Sequence, residues 1–370
     1  MPGGAPVLVA AGGTGGHLFP AQALAAALNA RGIAVALATD VRAARYGEAF
    51  SPDTVHVIPS ATFRGRDPVS IARTVATLGL GVAKAWSMLG RVRPSAVVGF
   101  GGYPSVPPVL AASIRNIPTI LHEQNGVMGR ANRFLSKRVT AIATGFPGVA
   151  QDSSLAAKTS YVGNPIRPAV VAAAATPYAT PDPGGPLHLL VFGGSQGARV
   201  FSEIAPAAVA RLDPALRARL RITQQARDED LARVREAYAA QNVSADVRPF
   251  FDDLPARMAA SHLVVSRSGA STVAELSAIG RPAILVPLPH ALDQDQLANA
   301  GALERAGGGI LIRQDGFSPE RLASEIAALA ATPARLAAMA EGARAIGRLD
   351  AAEKLADLVI RVAPVLRASL

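Results

Sequence analysis

Short apolar runs alternate with amphipathic segments along almost the whole chain. In the first half this pattern predicts strands at residues 7–10, 33–38, 55–58, 96–101, 119–123 and 139–144. In the second half it predicts strands at residues 187–192, 221–225, 245–250, 262–267, 282–287 and 308–313. Helical patterns separate most of these runs, and an Ala-rich helical region follows residue 317. Strands that alternate with helices in this way predict an α/β protein with parallel sheets.

The stretch PAVVAAAATPYATPDPGGP, which begins at Pro168, divides the chain into two similar halves. It is rich in proline, alanine, glycine and threonine, and its one aromatic residue is Tyr178, so we interpret it as an interdomain connection. Each half begins with a strand, a glycine-rich loop and a helix. The sequence therefore predicts two Rossmann-like domains that face each other across a central cleft, because ligands of such sheets bind at the carboxyl ends of the strands.

The two glycine-rich loops are GGTGGH at residues 12–17 and GGSQGA at residues 193–198. Glycine lets a ligand approach the backbone closely, and the N-terminus of a helix that follows such a loop favours phosphate binding. Ser195, in the second loop, would then lie near a diphosphate. The first loop fails the dinucleotide fingerprint G-x-G-x-x-G, because Leu18 stands where the third glycine is required. Asp40 could still bind a ribose, so an oxidoreductase stays open, as does a plain tight turn.

The composition narrows the classes of protein and of partner. The chain has 370 residues, half of them apolar, which is enough for two domains with their own cores and excludes a disordered protein. It has no cysteine, which excludes disulfides and thiolate chemistry and fits a reducing cytoplasm. The start MPGGAPVLVA predicts no signal peptide, and no apolar run is long enough to span a membrane. The net charge of +10 favours anionic lipids or phosphorylated substrates, whereas the few aromatic residues argue against nucleic acid.

Two segments of the second half mix acids, amides and hydroxyls where a helix begins. In SRSGASTVAEL, Thr272 to Glu275 matches a T-x-x-E capping box, in which the carboxylate accepts a hydrogen bond from a backbone N–H. Alternatively, Glu275 accepts hydrogen bonds from two vicinal sugar hydroxyls. In HALDQDQLANA, Asp293 and Gln296 could form a second capping box, or Gln296 could bind a sugar. The residues alone leave both choices open.

Polar or glycine-rich loops also follow strands of the first half. HEQNG at residues 122–126 ends one strand, and GFGGYPS at residues 99–105 ends another. Arg167, in GNPIR, could add positive charge to a ligand site or form a salt bridge. Because the carboxyl ends of parallel strands meet at one edge, these loops predict a site for a large polar ligand.

Seven motifs occur in one order: GGTGGH, GFGGYPS, HEQN, GNPIR, GGSQGA, RSGASTVAEL and Q-x-x-NA. With them the chain resembles, over essentially its whole length, the MurG family of UDP-N-acetylglucosamine (UDP-GlcNAc) transferases, which convert lipid I to lipid II in peptidoglycan synthesis. The resemblance implies a GT-B fold, in which residues 1–166 bind the lipid-linked acceptor and the membrane and residues 167–348 bind UDP-GlcNAc. It also implies that the last helix, about residues 349–365, packs back on the first domain.

The resemblance implies roles for individual residues. Glu275 resembles the ribose ligand, and Phe251 the residue whose backbone reads uracil. Ser195 and Arg167 resemble the diphosphate contacts, and Gln296 the ligand of the GlcNAc hydroxyls. Further donor or acceptor contacts are implied for Thr14, Gly15, Gly16, Asn125, Ala270, Ser271 and Thr272. The chain departs from the family pattern at Asp295, where the family often has His or Gln, and at SVPP, where a Gly-Pro step is common.

The expected chemistry is inverting transfer to the 4-hydroxyl of a lipid-linked N-acetylmuramoyl (MurNAc) unit, as the resemblance implies. GT-B enzymes stabilise the departing diphosphate with helix N-termini and with basic or hydroxyl side chains. No carboxylate pair has metal-ligand spacing, so we expect neither a metal nor another cofactor. The hydroxyl benefits from a general base, and His17 is the first candidate, with loop orientation as its alternative. His122 and Glu123 are the reserve candidates.

The segment from Phe63 to Arg93 combines apolar and basic residues, with Asp67 as its one acid. One helical stripe is predicted as the core face: Ile71, Val75, Leu78, Val82, Trp86 and Leu89. Val69, Leu80 and Met88 lie off that stripe, so the helix either binds an anionic bilayer or is covered by another element. We expect peripheral binding to the cytoplasmic face of the bacterial inner membrane, with cell-wall synthesis and division proteins as partners.

Three other functions stay open on the sequence. They are another GT-B transferase acting on a lipid acceptor such as diacylglycerol, a UDP-GlcNAc 2-epimerase-like isomerase, and a noncatalytic nucleotide-binding protein. Incubation with UDP-GlcNAc alone separates them: an epimerase converts the nucleotide sugar, a transferase leaves it largely intact, and a binding protein shows affinity without turnover with any acceptor.

Overall fold

The computed structural model describes residues 4–12, 15–41, 50, 54–62, 67–150, 152–194 and 197–367. The chain forms two compact units. Unit 1 comprises Met1–Arg167 and Leu349–Leu370, and unit 2 comprises Pro168–Arg348. Each unit is built around its own parallel sheet, which confirms the predicted α/β class with two Rossmann-like domains.

The strands of unit 1 are β1 Val7–Ala10, β2 Val35–Thr39, β3 Val55–Val57, β4 Ala96–Gly99, β5 Thr119–Glu123, β6 Ala141–Thr144 and β7 Thr159–Tyr161. Within the described residues they form a parallel sheet in the order β3-β2-β1-β4-β5-β6-β7. Strand β1 is buried along its whole length, since it pairs with β2 on one side and with β4 on the other. The sequence missed β7, because TSY is a short edge strand without an apolar run.

The helices of unit 1 that precede unit 2 are α1 Gly15–Ala30, α2 Pro68–Val92, α3 Val106–Ile114, α4 Arg130–Leu135 and α5 Ser153–Ala156. Helix α1 follows the central strand directly and packs its apolar residues on the sheet, where Leu18, Leu24 and Leu28 are fully buried. Leu18 occupies the core at the position where a dinucleotide fold needs glycine, so the helix and strand of this motif do not pack in the dinucleotide manner.

The strands of unit 2 are β8 Leu187–Phe192, β9 Leu220–Gln225, β10 Ser244–Arg248, β11 Leu263–Ser266, β12 Ala283–Leu285 and β13 Gly309–Leu311. In the described chain they form a parallel sheet in the order β10-β9-β8-β11-β12-β13. Its helices are α6 Pro168–Ala173, α7 Arg199–Ala210, α8 Pro214–Arg219, α9 Leu231–Ala239, α10 Leu254–Ala259, α11 Ala270–Ile279, α12 Asp295–Arg305, α13 Pro319–Ala330 and α14 Pro333–Ala345. As in unit 1, the first strand lies in the middle of the sheet, and the strand order reverses beside it. Such a reversal separates the loops at the carboxyl ends and leaves room for a ligand.

The chain returns to unit 1 after α14. Helices α15 Ala351–Val362 and α16 Pro364–Arg367 complete the core of unit 1, where Leu355 and Val359 are fully buried. Arg31, just after α1, donates hydrogen bonds to Asp357 and Glu353 on α15. The end of the chain is therefore part of the same core as its beginning.

The predicted core face of α2 is wrong at three of its six positions, whereas Leu89 is buried as predicted and Leu78 and Val82 are half-buried. Ile71, Val75 and Trp86 are 41%, 56% and 42% exposed. The buried residues of α2 are Thr74, Gly81, Ala85, Met88 and Leu89. The helix uses small residues to approach its neighbours, since a Cβ atom added at Gly81 would lie only 2.3 Å from the carbonyl oxygen of Pro59. Met88 and Leu89 are buried near the end of the helix, whereas Ile71, Val75 and Trp86 are left exposed.

Helix α2 is long, but a membrane-spanning helix must also be sufficiently apolar. In the described part of the chain, no helix combines the length and the apolar character that crossing a bilayer requires.

Candidate active site

The loop GGTGGH leaves β1 between two other loops of unit 1. A Cβ atom added at Gly12 would lie 3.0 Å from Cβ of Pro104 and 3.1 Å from Oδ1 of Asp40, so only glycine fits without a shift. Thr14 lies outside the described residues, and its predicted ligand contact stays a prediction. Gly15 is the first residue of α1, and the exposed Gly16 follows it. The first turn of α1 therefore begins with two glycines.

His17 lies in the first turn of α1, half-buried against the GFGGYPS loop. A Cβ atom added at Gly102 would lie 3.4 Å from Cε1 of the His17 ring, and Gly102 has a φ of 69°. Burial lowers the pKa of His17 from its ordinary value. The imidazole is therefore neutral near pH 7, which is the form that a general base needs.

Glu123, at the end of β5, is almost fully buried and organises the loop that follows it. Its Oε1 accepts hydrogen bonds from the backbone N of Asn125 at 3.0 Å and from Asn125 Nδ2 at 3.3 Å. Its Oε2 accepts from the backbone N of Gly129 at 2.9 Å and from Asn132 Nδ2 at 2.8 Å. Burial raises the pKa of Glu123, and these donors oppose that rise. Because each oxygen already receives two donors from the protein, Glu123 suits loop positioning better than proton removal from a substrate.

His122 is fully buried, and both of its ring nitrogens bind the protein. Nε2 bonds to the carbonyl oxygen of Gly163 at 2.9 Å, and Nδ1 bonds to Nε2 of Gln124 at 2.9 Å. These partners require a neutral ring that donates from Nε2 and accepts at Nδ1. Burial lowers the pKa of His122 to about 4. His122 therefore holds the HEQN segment in place and offers no nitrogen to a substrate.

The GNPIR motif is tied to the same network. Asn164 Nδ2 donates to the carbonyl oxygen of Gln124 at 2.8 Å. Arg167 closes the motif, with its guanidinium 4.5 Å from the ring centroid of Phe19 on α1. The two polar motifs of unit 1 thus share buried hydrogen bonds that the sequence patterns do not reveal.

In unit 2, the loop GGSQGA leaves β8 and folds back on itself. A Cβ atom added at Gly193 would lie 2.2 Å from the backbone N of Ala198, and Gly194 and Gly197 have φ values of 88° and 65°. Glycine is therefore required at several positions of this loop. Ser195 lies outside the described residues, so its diphosphate contact stays a prediction.

Helix α11 begins one turn earlier than a capping box at Thr272 requires. Its N-cap is Gly269, which makes no side-chain hydrogen bond, so Ala270 and Ser271 begin the helix and Thr272 lies inside it. The predicted capping box from Thr272 to Glu275 is therefore wrong. Glu275 lies buried in the second turn. Ser271 Oγ is buried and has no hydrogen-bond partner among the described residues, as expected of a group that awaits a ligand.

The start of helix α12 also rules out the capping box considered for Asp293 and Gln296. The helix begins at Asp295, so Asp293 is not its N-cap. Gln296 is held at two atoms, because its Oε1 accepts from the backbone N of Leu288 at 3.0 Å and its carbonyl oxygen accepts from Ser268 Oγ at 2.8 Å. Asp295 Oδ1 accepts from the backbone N of Gln296 at 2.7 Å, and burial raises the pKa of Asp295. The side-chain amide nitrogen of Gln296 is the end that suits a sugar hydroxyl.

Phe251 follows β10 and is clamped by arginines. The guanidinium carbon of Arg257 lies 4.4 Å from its ring centroid and that of Arg248 5.7 Å. Arg257 in turn donates to Asp246 at 2.8 Å and to Asp253 at 2.7 Å. Sequence reasoning missed this clamp, although the alternating acids and arginines of ADVRPFFDDLPAR could have indicated it. The clamp fixes the backbone around Phe251, which is the part expected to read uracil.

Within each unit the candidate residues lie at the carboxyl ends of the strands. In unit 1 they follow β1, β4 and β5, and in unit 2 they follow β8, β10, β11 and β12. The structure thus places the described residues of GGTGGH, together with GFGGYPS and HEQN, at one edge of the first sheet. It gathers GGSQGA, Phe251, the start of α11 and the start of α12 at one edge of the second sheet.

Comparisons with known proteins identify relatives of the whole chain. The glycosyltransferase family 28 N-terminal domain matches residues 7–144, and the glycosyltransferase family 28 C-terminal domain matches residues 188–359. A protein of Rhodopseudomonas palustris (strain BisB18) is named UDP-N-acetylglucosamine–N-acetylmuramyl-(pentapeptide) pyrophosphoryl-undecaprenol N-acetylglucosamine transferase. It is 62% identical over 97% of this chain and 96% of its own length. A protein of Nitrobacter winogradskyi with the same name is 61% identical over 96% of this chain and 97% of its own length.

Solved structures agree on the fold. The crystal structure of MurG from Acinetobacter baumannii covers 96% of this chain and 99% of that chain, with a TM-score of 0.78 and 29% identity. A UDP-GlcNAc 2-epimerase from Neisseria meningitidis, bound to UDP-GlcNAc, covers 96% of this chain and 100% of that chain, with a TM-score of 0.66 and 13% identity. At that identity the likeness to the epimerase is one of fold alone.

The burial of His122 predicts a specific dependence of stability on pH. Its pKa is about 4 in the folded chain, against an ordinary value of 6.5, so its stabilising contribution is complete above pH 6.5 and is lost as the pH falls toward 4. His122→Phe fills the ring volume beside Phe100 without titrating, and it should destabilise unit 1 at pH 7.5 by removing two buried hydrogen bonds.

On acidification to pH 5, the gap in unfolding free energy between wild type and His122→Phe should narrow by about 2 kcal/mol. Trp86 is the one tryptophan of the chain, so its fluorescence during urea unfolding reports on unit 1. An equal gap at both pH values would show that His122 titrates normally in the folded protein.

Proposed function

The chain belongs to glycosyltransferase family 28 and, within it, to the MurG family, and from this we infer the reaction that it catalyses. It is a UDP-GlcNAc-dependent transferase that moves GlcNAc to the MurNAc 4-hydroxyl of undecaprenyl-pyrophosphoryl-MurNAc-pentapeptide (lipid I). The product is lipid II of peptidoglycan synthesis. The observation that carries this conclusion is 62% identity over 97% of the chain to a relative named for this transfer.

We propose that unit 2 binds the nucleotide sugar through the residues at the carboxyl edge of its sheet. Glu275 accepts hydrogen bonds from the two ribose hydroxyls, and the backbone at Phe251 reads uracil. The first turn of α11, with Ala270, Ser271 and Thr272, faces the phosphates together with Ser195 of the GGSQGA loop. Helix N-termini stabilise the negative charge of departing UDP, so no resident metal or other cofactor is needed for that task.

We propose further that unit 1 supplies the groups that handle the acceptor, with Arg167 adding charge for the diphosphate. The MurNAc 4-hydroxyl oxygen attacks C1 of GlcNAc, the bond from C1 to the β-phosphate oxygen breaks, and UDP leaves with the bonding electrons. The neutral imidazole of His17 accepts the hydroxyl proton. Asn125, whose backbone N and side-chain Nδ2 both donate to Glu123, contacts a substrate hydroxyl.

The exposed face of α2 supports a membrane-binding role for unit 1. Its exposed apolar side chains, the α2 apolar face, are Val69, Ile71, Val75, Leu80 and Trp86. Four basic residues on or just after the same helix are also exposed: Arg73, Lys84, Arg91 and Arg93. Arg115 stacks on Trp86 at 4.5 Å, and Asp67 is occupied as the N-cap of the helix. Exposed apolar residues combined with exposed cations on one helix suit an anionic bilayer.

We therefore propose peripheral binding to the cytoplasmic face of the bacterial inner membrane, where a lipid-linked acceptor resides. Residues 63–66, which carry two of the predicted basic contacts, lie outside the described part of the chain. Proteins of cell-wall synthesis and division remain predicted partners.

Donor recognition is tested at Glu275. Glu275→Ala should weaken UDP binding by about 2 to 4 kcal/mol, because charge-assisted hydrogen bonds to both ribose hydroxyls are lost. Glu275→Gln keeps the shape but not the charge, and should give an intermediate loss. Isothermal titration calorimetry with UDP measures both. Unchanged affinity in a folded Glu275→Ala variant would remove Glu275 from the ribose site.

The base is tested at His17. His17→Ala should lower turnover of a lipid I analogue on the order of a hundredfold, while UDP affinity stays close to that of wild type. Transfer of labelled GlcNAc gives the turnover, and calorimetry gives the affinity. If turnover survives within a few fold, His17 orients the GFGGYPS loop instead of accepting the proton.

Membrane binding is tested by co-sedimentation with vesicles of phosphatidylglycerol, compared with vesicles of phosphatidylcholine. Binding should require the anionic lipid and weaken with salt, since each basic residue near the surface contributes about 1 kcal/mol. The double variant Leu80→Ser, Arg73→Glu should lose most of it. Val171→Ser with Arg321→Glu makes the same changes at exposed positions of unit 2 and should bind as wild type does. Equal binding of both double variants would move the docking surface away from α2.

A further inference from the structure

Gln225, the last residue of β9, bonds to two loops at the carboxyl edge of unit 2. Its Oε1 accepts a hydrogen bond from the backbone N of Gly193 at 3.0 Å. Its Nε2 donates to the carbonyl oxygen of Pro249 at 3.2 Å. One buried amide therefore joins the first residue of the GGSQGA loop to the segment that precedes Phe251.

The surroundings of Gln225 leave it little freedom. Its neighbour Gln224 is fully buried, accepts a hydrogen bond from the hydroxyl of Tyr238 and donates to the carbonyl oxygen of Phe201. The next residue, Ala226, donates its backbone N–H to the carbonyl oxygen of Arg248 at 3.0 Å. The backbone on both sides of Gln225 is thus fixed, and its side chain spans a set distance.

The two ends of the Gln225 amide meet partners of opposite kind. Gly193 offers an N–H donor and Pro249 offers a carbonyl acceptor, so the amide oxygen and nitrogen each have one assigned position. Each end of the amide thus binds protein backbone, and each keeps the capacity for one further hydrogen bond. The effect on a ligand that we assign to Gln225 acts through the two loops that these bonds join.

We propose that Gln225 is a positioning residue that sets the spacing between the diphosphate-binding loop and the uracil-reading segment. This inference rests on the proposed function, which assigns the nucleotide of UDP-GlcNAc to these two segments. A nucleoside diphosphate must contact both at once. If the loop and the segment are held at the correct spacing before binding, the ligand does not have to order them, and its affinity for the protein is higher.

The test compares Gln225→Met with a matched control, Gln241→Met. Gln241 donates from Nε2 to the carbonyl oxygens of Pro206 and Ala237, at 3.1 Å and 2.9 Å, and its bonds lie away from both loops. Each variant therefore removes two hydrogen bonds to the main chain of unit 2. A purely structural role for Gln225 would give the two variants the same phenotype, a lowered melting temperature and nothing more.

Gln225→Met should raise the KM for UDP-GlcNAc and the Kd for UDP by about tenfold, with kcat and the KM for a lipid I analogue unchanged. Gln241→Met should leave all four values as in wild type. Gln225→Asn keeps the amide but shortens the side chain by one methylene, so it should behave as Gln225→Met does. Comparison with Gln241→Met thereby separates a loss of UDP binding that comes from lost loop spacing from one that comes from lost stability.

The possible failures are distinguishable. If wild type fails to bind UDP, the proposed function itself is wrong. If wild type binds UDP and Gln225→Met binds it equally well, only the positioning role is wrong. If Gln241→Met loses UDP affinity to the same extent, the effect of Gln225→Met reflects the general stability of unit 2, and the positioning role is overturned.

Discussion

Buried amide and carboxyl side chains, directed at backbone groups, hold the loops of the candidate site to the sheets beneath them. Loops at the carboxyl ends of parallel strands leave polar backbone groups without sheet partners, and an unpaired buried group costs about 1 to 3 kcal/mol. Glu123 satisfies such groups in unit 1, and Gln225 does so in unit 2. Ser268 and Asn299 act in the same way between the starts of α11 and α12. The ligand-facing groups therefore project from loops whose backbones are already fixed.

The need to satisfy loop backbone groups also distinguishes the three candidates for the general base. His122 and Glu123 are buried beneath the loops, and their polar atoms are used to hold them. His17 lies in the first turn of a helix, is only half-buried, and has a pKa lowered enough to remain neutral. The choice of His17 as general base thus rests on accessibility, because neutrality alone also describes His122.

Close packing explains how unit 1 combines a compact core with an exposed apolar surface. Gly81 and Ala85 let α2 approach its neighbours, and with Met88 and Leu89 they form its buried face, so Ile71, Val75 and Trp86 are not needed for packing on the unit. A helix that buried Ile71, Val75 and Trp86 would leave a mostly polar face outside. The observed orientation instead leaves apolar and basic residues exposed together, while the one acid of the segment caps the helix.

The sequence by itself determined the class of fold, most of the strands and the family, because these depend on local periodicity and on motifs that are continuous in the chain. The periodicity of apolar runs located the buried strands, and among the strands of the described residues it missed the short edge strand β7. The tertiary structure alone decided which face of α2 is buried, where α11 and α12 begin, and that Glu123, His122 and Gln225 serve the backbone of distant loops. These features depend on close approaches and hydrogen bonds between residues far apart in the chain. A pattern of residue types does not specify the distances between such residues, which are set by the packing of the folded chain.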